Sequence, residues 1–514
     1  MSGMNENKFM RDDRRDARSL QEQREKKKTR TIAVTVIVIL AVLFAGALFI
    51  NSRYVRRNIP AVSVAGVNFS AVEYDYFFMN VYNDYTQTLN EQLGDSAGDM
   101  LPNTEKPLKS QIYDTATGQT WADWFGELAL SRMSESAVLY NAAQADGFVM
   151  PDEAREKMEE DLDLLKQSYF WYGANSFDEF LRGWYSPSMN EKSFRKIIEF
   201  VSTVEAYSKY KYDSFSYDAD TLAAYYNENR NDLDNFIYRI LTIRSDSVNE
   251  ADYSTEEEYN TAVSAAAAAT KGLVREILSG ISSEADFIAA AREYSEEEYG
   301  TDDSTLLTHS GEQLGDDYGP WLKEDGRKPG DITTVDMSGG TYIIYFVNRD
   351  ANEYRVAEMR QILIQRAALN EDDYAENEEY QAAFEEAETG AKERAETALE
   401  LFTAAGATEQ ALIDLVEEHS DDPTEGGHYT KIYKGMMVPE IDSWLFDPGR
   451  QIGDFELIRT ESYGYHLVYF SGFGEQYNDF ASDSRMRTAD FTAWTESLEK
   501  PEAITRWAFA FTQQ

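Results

Sequence analysis

The chain has 514 residues, 93 of them Asp or Glu against 48 Lys or Arg, a formal net charge of -45. A surface that acidic repels phosphate and excludes nucleic acid as a partner for the bulk of the chain. There is no cysteine, which excludes disulfides, thiolate catalysis, Cys-ligated zinc and a lipid-modified N-terminal Cys. At roughly 100–200 residues per domain, three or four domains fit.

The charge is unevenly placed. Residues 1–57 hold 13 Lys/Arg and 6 Asp/Glu, leaving 35 and 87 for the remainder. Inside the basic end, residues 31–50 read TIAVTVIVILAVLFAGALFI, with neither charge nor proline. Twenty such residues span the ~30 Å of a bilayer core. Ten bases precede the stretch and only Arg53, Arg56 and Arg57 follow closely, so the positive-inside rule makes 1–30 a cytosolic segment and places 51–514 outside. The expectation is a single-pass protein of the cell membrane with an extracytoplasmic body. Ala45-Gly46-Ala47 keeps a cleaved signal peptide open as the alternative.

Residues 60–235 read as a helical module. A strand and turn around Val62, Val64, Gly66 and Val67 lead to the capping box Ser70-Ala-Val-Glu73 and an aromatic helix. The stretch 94–120, rich in Gly, Asp, Pro and Thr, predicts a loop. From Trp121 to about Tyr212 the pattern is helical, with further capping boxes at Ser176–Glu179 and Ser188–Glu191. Phe177, Phe180, Leu181 and Trp184 make one apolar face. The run Tyr169-Phe-Trp-Tyr172 has two readings, helix packing or an apolar surface that holds unfolded chains.

An internal repeat follows. Phe236–Ile243 parallels Glu358–Ile364, each trailed by an Ala/Glu-rich helix. Trp321-Leu-Lys-Glu-Asp-Gly-Arg327 parallels Trp444-Leu-Phe-Asp-Pro-Gly-Arg450, and Gly340–Phe346 parallels Gly464–Phe470. Residues 236–350 and 354–474 are therefore two tandem α+β units of one plan, strand, helices, turn, strand, strand. Residues 475–514 form a helical tail.

The second unit resembles the parvulin-type peptidyl-prolyl cis/trans isomerases. The residues that carry the likeness are Arg360-Gln-Ile-Leu-Ile364, Ser420-Asp-Asp-Pro423, Gly426-Gly427, Gly435-Met-Met-Val-Pro-Glu440, Pro448-Gly449 and Gly464-Tyr-His-Leu-Val468. Residues 60–235 resemble, more weakly, the chaperone module of the extracytoplasmic foldases PrsA and SurA, through Ala142-Ala-Gln-Ala-Asp-Gly147, the acidic helix from Pro151 and Tyr225-Tyr-Asn-Glu228. The resemblance implies an α+β fold: one transmembrane helix, a SurA-like helical module and two tandem parvulin-like domains, the first degenerate. It implies Gln361, Asp422 and His466 at the catalytic polar positions, and Tyr429, Met437 and Ile441 around the proline. It implies no metal and no cofactor. The partners would be unfolded or newly secreted polypeptides with Xaa-Pro bonds, and the membrane through residues 31–50.

Elementary chemistry fits such a site. A prolyl bond turns over a barrier of ~18–20 kcal/mol between isomers that differ by only ~0.5–1 kcal/mol. The catalyst needs only to favour the twisted amide, with an apolar cup for the ring and polar groups near the amide. The chain departs from the family in three places: Gln361 stands for a His, Ile441 for a Phe, and Gly426-Gly-His-Tyr-Thr430 for Gly-Gly-Asp-Leu-Gly. In the first unit Arg239 and Tyr342 occupy the two His positions, which makes it a structural or binding copy. The alternatives are a catalytically inactive holdase that uses both units to bind peptide, and an adhesive surface protein. His309, His419, His428 and His466 lack zinc-type spacing. His466 also reads as a core histidine, Asp421-Asp422 as a turn pair, and Met436-Met437 as core.

Overall fold

A computed structural model describes residues 27–499 and 503–505, apart from 29, 45, 47, 50, 51, 295–303, 371, 372, 375, 376 and 423. The contacts divide the chain into two compact units: residues up to Phe215 together with those from Arg487, and Ser216–Met486. Residues 30–44 are helical, but Ala45, Ala47 and Ile50 of the expected 31–50 span lie outside the described residues, as do 1–26. Among the described residues, no helix is long and apolar enough to cross a membrane.

The first unit opens with α1 (Arg53–Asn58) and a hairpin of β1 (Pro60–Val64) and β2 (Val67–Ser70). Ala65 and Gly66 between them have φ of 48° and 82°, the left-handed pair that a two-residue hairpin requires. The distant segment Ile504–Thr505 pairs antiparallel with the other side of β1. α2 (Ala71–Leu93) starts as expected, with Glu73 Oε2 accepting from the Ser70 N–H at 2.5 Å. The predicted loop 94–120 holds two 3-10 turns and a short pair, β3 (Ile112–Asp114) with β4 (Gln119–Thr120). α3 (Trp121–Ala145), α4 (Asp152–Ser168), α5 (Phe177–Trp184) and α6 (Glu191–Ser214) complete the layer. On α3, Phe125, Ala129, Met133 and Ala137 recur every four residues, so they share one helix face. All are fully buried in one cluster with Phe77, Phe78 and Val81 of α2 and Ile197 of α6.

Two capping signals resolve differently from the sequence pattern. Ser176 Oγ accepts from the Glu179 N–H, but the Glu179 carboxylate serves the Asn175 N–H instead of reaching back to Ser176. The next helix begins at Glu191 with Asn190 as its cap, not Ser188. Ser188 is buried, and its carbonyl takes Arg57 Nε at 2.5 Å. Phe177, Phe180 and Leu181 are buried as one face, whereas Trp184 stays exposed.

The second unit begins with α7 (Ala219–Leu233). The sequence reading closed the helical module at 235. Instead α7 is tied forward, to the first repeat by Asp232 to Lys323 Nζ at 2.9 Å, and to the residue just after it by the Tyr226 hydroxyl donating to the Ala351 carbonyl at 3.1 Å. The first repeat is β5 (Asn235–Arg244), α8 (Glu256–Gly280), α9 (Glu284–Tyr294), β6 (Leu306–Ser310), α10 (Gly319–Leu322), β7 (Ile332–Met337) and β8 (Gly340–Asp350). The second is β9 (Arg355–Gln365), α11 (Asn377–Ala404), α12 (Glu409–His419), β10 (His428–Ile432), α13 (Pro439–Leu445), β11 (Phe455–Thr460) and β12 (Gly464–Gln476). α14 (Tyr477–Ser497) follows. Both sheets are antiparallel, in the matching orders β6-β5-β8-β7 and β10-β9-β12-β11. β6 and β10 are edge strands absent from the sequence plan.

In each repeat, one sheet face packs under the two helices and the other under the short helix. Leu241, Ile243, Ile343 and Tyr345 meet Val274, Ile277 and Phe287. In the same way Ile362, Ile364, Leu467 and Tyr469 meet Ala395, Phe402 and Leu412. The opposite face of the second sheet carries Ala357, Met359, Val468 and Phe470 against Ile441, Trp444 and Leu445.

This register corrects one sequence assignment. Arg239 pairs across to Tyr345 and Arg360 to Tyr469, while Arg244 meets Gly340 and Gln365 meets Gly464. Arg239 therefore answers to Arg360, and Ile240, not Arg239, answers to Gln361. The matching ion pairs Arg239–Glu284 and Arg360–Glu409, both 2.7 Å, fix the same alignment. A slip of one residue would turn each apolar side chain to the wrong face.

Candidate active site

The short-helix face of the second sheet gathers the polar residues singled out in the sequence. By strand alternation Gln361 shares this face with Met359, and His466 with Val468 and Phe470. Asp422 comes from the turn after α12, which is laced to β9. The Asp421 N–H donates to the Leu363 carbonyl at 2.7 Å, and the Leu363 N–H donates to Ser420 Oγ at 3.1 Å. The neighbouring Asp421 faces away, accepting from the Gln365 N–H and from Arg394. Of the acid pair, only Asp422 is presented to the site. Gly427 lets the following loop lie on β9. It has φ of 58°, and a Cβ there would stand 2.1 Å from the Gln361 carbonyl oxygen. Tyr429 enters from β10, opposite Met359.

These side chains form one directed chain of hydrogen bonds. Gln361 Nε2 donates to Asp422 Oδ2 at 2.6 Å, and the Tyr429 hydroxyl donates to the same oxygen at 2.7 Å. Thr424 contributes its N–H to Asp422 Oδ1 at 2.9 Å. Gln361 Oε1 then faces His466 Nδ1 at 2.9 Å, and His466 Nε2 faces Thr460 Oγ1 at 3.0 Å. An ionised carboxylate only accepts, which orients the Gln361 amide. Its carbonyl must then accept a hydrogen bond from Nδ1–H, leaving Nε2 to accept from Thr460.

The electrostatics agree with that order. Burial pushes the His466 imidazole down to about 4, against smaller upward pulls from Asp422 and Glu440, so the ring is neutral at pH 7. For Asp422, burial is the largest influence and acts upward. The bonds from Tyr429, Thr424 and Gln361 together outweigh it and hold the carboxyl below its ordinary value. Burial lifts the Tyr429 phenol.

The apolar half of the site is contiguous with the polar half. Tyr429 and Met437 are half-buried against the cluster that holds Ile441, Met359 and Val468. Ile441 is fully buried, so it is the floor beneath this surface. Gln361 and His466 are also buried, whereas Asp422, Tyr429 and Met437 reach solvent. All six residues proposed from the sequence thus share one sheet face. Sequence reasoning missed Thr424 and Thr460, which carry no motif and become partners only through the turn and strand that deliver them. Pro423 of the turn lies outside the described residues.

At the described positions the first repeat carries different residues. Ile240, Leu307, Met337 and Tyr342 stand at the register positions of Gln361, Tyr429, Thr460 and His466. The stretch that answers to Asp422 falls within 295–303, outside the described residues.

The second repeat is a four-stranded antiparallel sheet with helices on one face, and an apolar surface edged by buried polar groups on the other. Residues 377–472 match the PPIC-type PPIase domain family, the rotamases. The second repeat is accordingly a parvulin-type peptidyl-prolyl isomerase domain. The match contains Asp422, Tyr429, Met437, Ile441 and His466 but begins after Gln361, which the sheet restores to the site.

Comparison with curated proteins gives no match. Among solved structures, the chain is similar to the peptidylprolyl isomerase PrsA of Bacillus cereus, at 15% identity over 62% of this chain and 95% of that one, with a TM-score of 0.25. It is similar to the foldase PrsA of Streptococcus pneumoniae at 11% identity, covering 60% and 99%, with a TM-score of 0.20. A SurA-like chaperone of Campylobacter jejuni gives 13% identity, 66% and 97%, and a TM-score of 0.17.

Proposed function

We propose that this protein is a membrane-anchored, outward-facing foldase that isomerises Xaa-Pro bonds in newly secreted polypeptides while its helical unit holds them. The observation that carries the reading is the hydrogen-bonded chain Tyr429–Asp422–Gln361–His466–Thr460 set beside the solvent-reaching apolar surface of Tyr429 and Met437. A pyrrolidine ring seated on that surface would bring its amide to the polar edge, where the fixed dipoles favour the twisted bond over either planar form. The neutral imidazole adds no charge, as suits a reaction in which none is created or lost. The first repeat, with apolar and aromatic residues at the matching positions, binds or spaces but does not turn over.

Support for anchoring comes from the helical residues 30–44. From Val36 to Leu40, consecutive large apolar side chains are exposed on every side, with no partner stripe. A helix apolar all round belongs in a core or a bilayer.

The test is an exchange measurement on a Xaa-Pro peptide with the full chain. The expected result is a rate well above buffer that falls at least about tenfold in His466→Ala and in Met437→Ala, within the range of one lost general or binding contribution. A buffer-like rate would leave only holding, the alternative in which both parvulin-like units bind peptide without catalysis.

A further inference from the structure

A cluster of aromatic side chains in the first unit plays no part in the isomerase site. Tyr169–Tyr172 is one 3-10 turn between α4 and α5. Phe170, Trp171 and Tyr172 are 54%, 79% and 59% exposed, and Trp184 at the end of α5 is 41% exposed. The rings brace one another, Phe170 with Trp171 at 4.7 Å and Tyr172 with Trp184 at 5.5 Å between centroids, and Tyr172 leans on the buried Phe180 at 5.2 Å. The cluster is exposed, and its rings support one another.

Contacts lead from the Tyr172–Trp184 pair, by way of the segment after α5, to α1 and Phe49. The Ser52 N–H donates to the Phe49 carbonyl at 3.0 Å, which joins that segment to α1. Arg57 of α1 donates to the carbonyls of Ser188 and Met189, four and five residues past Trp184. α1 itself carries Arg53, Arg56 and Arg57 and no acid, in an outer chain, 51–514, with 87 acids against 38 bases. The acids beside the aromatic turn are engaged: Asp163 and Glu191 with Lys166, Asp178 with Arg182. A cationic helix next to exposed Trp, Tyr and Phe complements a phospholipid headgroup layer, with arginine for phosphate and amphipathic rings for the interface.

We infer that the Phe170-Trp171-Tyr172 turn, with Trp184, rests in the headgroup layer of the bilayer that α1 approaches. The contact rests on the reading that residues 31–50 span that bilayer. It would hold the helical unit near the membrane where polypeptides emerge.

The absence of cysteine permits single-site spin labels. The full chain, in nanodiscs of phosphatidylcholine with phosphatidylglycerol, carries a nitroxide at Gln167→Cys beside the turn. Parallel samples carry it at Leu40→Cys within the span and at the exposed Val149→Cys as the aqueous reference. The expected result is a buried Leu40 label and a Gln167 label several-fold less accessible to a water-soluble nickel relaxant than the Val149 label. Adding Phe170→Ala and Trp171→Ala should return the Gln167 label to the Val149 level with the isomerase rate unchanged. A buried Leu40 label with an aqueous Gln167 label overturns the contact and leaves the anchor standing. An aqueous Leu40 label overturns both. Protection of the Gln167 label only after an unfolded polypeptide is added would assign the turn to clients and overturn the lipid contact.

Discussion

At the level of single residues, the site depends on one neutral imidazole and one amide. Because the folded pKa of His466 lies at about 4, below the ~6.5 of a free imidazole, the folded state refuses a proton that the unfolded chain accepts. The stability this residue contributes is fully present above pH 6.5 and is lost as pH falls toward 4, by about 3 kcal/mol at most. The His466 imidazole resonance should stay unmoved between pH 7.5 and 5 and titrate near 4, with the isomerase rate falling in the same window. Titration near 6.5 would show an open, solvated ring. Gln361→Leu removes both the donor to Asp422 and the acceptor for Nδ1–H. Leaving the buried Nδ1–H of His466 unpaired costs about 1–3 kcal/mol, while Asp422 keeps its bonds from Tyr429 and Thr424. The expected loss is a lower urea midpoint together with a rate at least about tenfold down, and an unchanged rate would separate Gln361 from the chemistry. Sequence alone named Gln361, Asp422 and His466 through a resemblance, but it could not choose Asp422 over Asp421 on physical grounds. The lacing of residues 420–422 to β9 makes that choice, because it points one carboxyl at Gln361 and the other at Arg394.

At the level of elements, the placement of a loop on a strand decides whether the site exists. Gly427 and Gly435 both have positive φ, but a Cβ at Gly427 would meet the Gln361 carbonyl, whereas one at Gly435 meets nothing within 4 Å. Gly435→Ala should therefore cost only its backbone strain, about 1 kcal/mol. Gly427→Ala adds displacement of the loop, and should cost about 2–4 kcal/mol and most of the activity. Thermal melts and exchange rates of the two variants, side by side, check the contrast; equal effects would mean the close approach to β9 is not required. The tandem plan was legible because its markers are local: apolar strands, Trp-x5-Arg turns and a Gly before the last strand. β6 and β10 were not, since short edge strands such as Leu306–Ser310 and His428–Ile432 lack clean alternation and exist only by pairing. The misplacement of Arg239 has the same origin. Arg-Ile-Leu and Arg-Gln-Ile align by eye in two frames, and only cross-strand partners and the Arg–Glu pairs select one.

At the level of the whole molecule, the first compact unit closes with residues from the far end of the chain. Ile504 and Thr505 pair with β1, Trp494 packs on Tyr207 with ring centroids 6.0 Å apart, and Arg487 donates to the Asp213 carbonyl. Removing residues 487–514 should cost this unit about 2–3 kcal/mol, near 5–10 °C in its melting midpoint. The isomerase rate of the second unit should persist. Calorimetry and the exchange assay on the truncated chain read the two separately, and coupled loss of both would contradict their independence. The composition-level exclusions, the apolar 31–50 stretch, the helical run from Trp121 and the doubled α+β plan were legible in the residues alone, because helix and strand periodicities are written within short windows. The strand register, the polar chain through Thr460 and Tyr429, the pairing of Ile504 and Thr505 with β1 and the exposure of Phe170–Tyr172 emerge only with the folded arrangement. Each of those depends on a partner far away in sequence, and burial and pairing are properties of that partner's arrival.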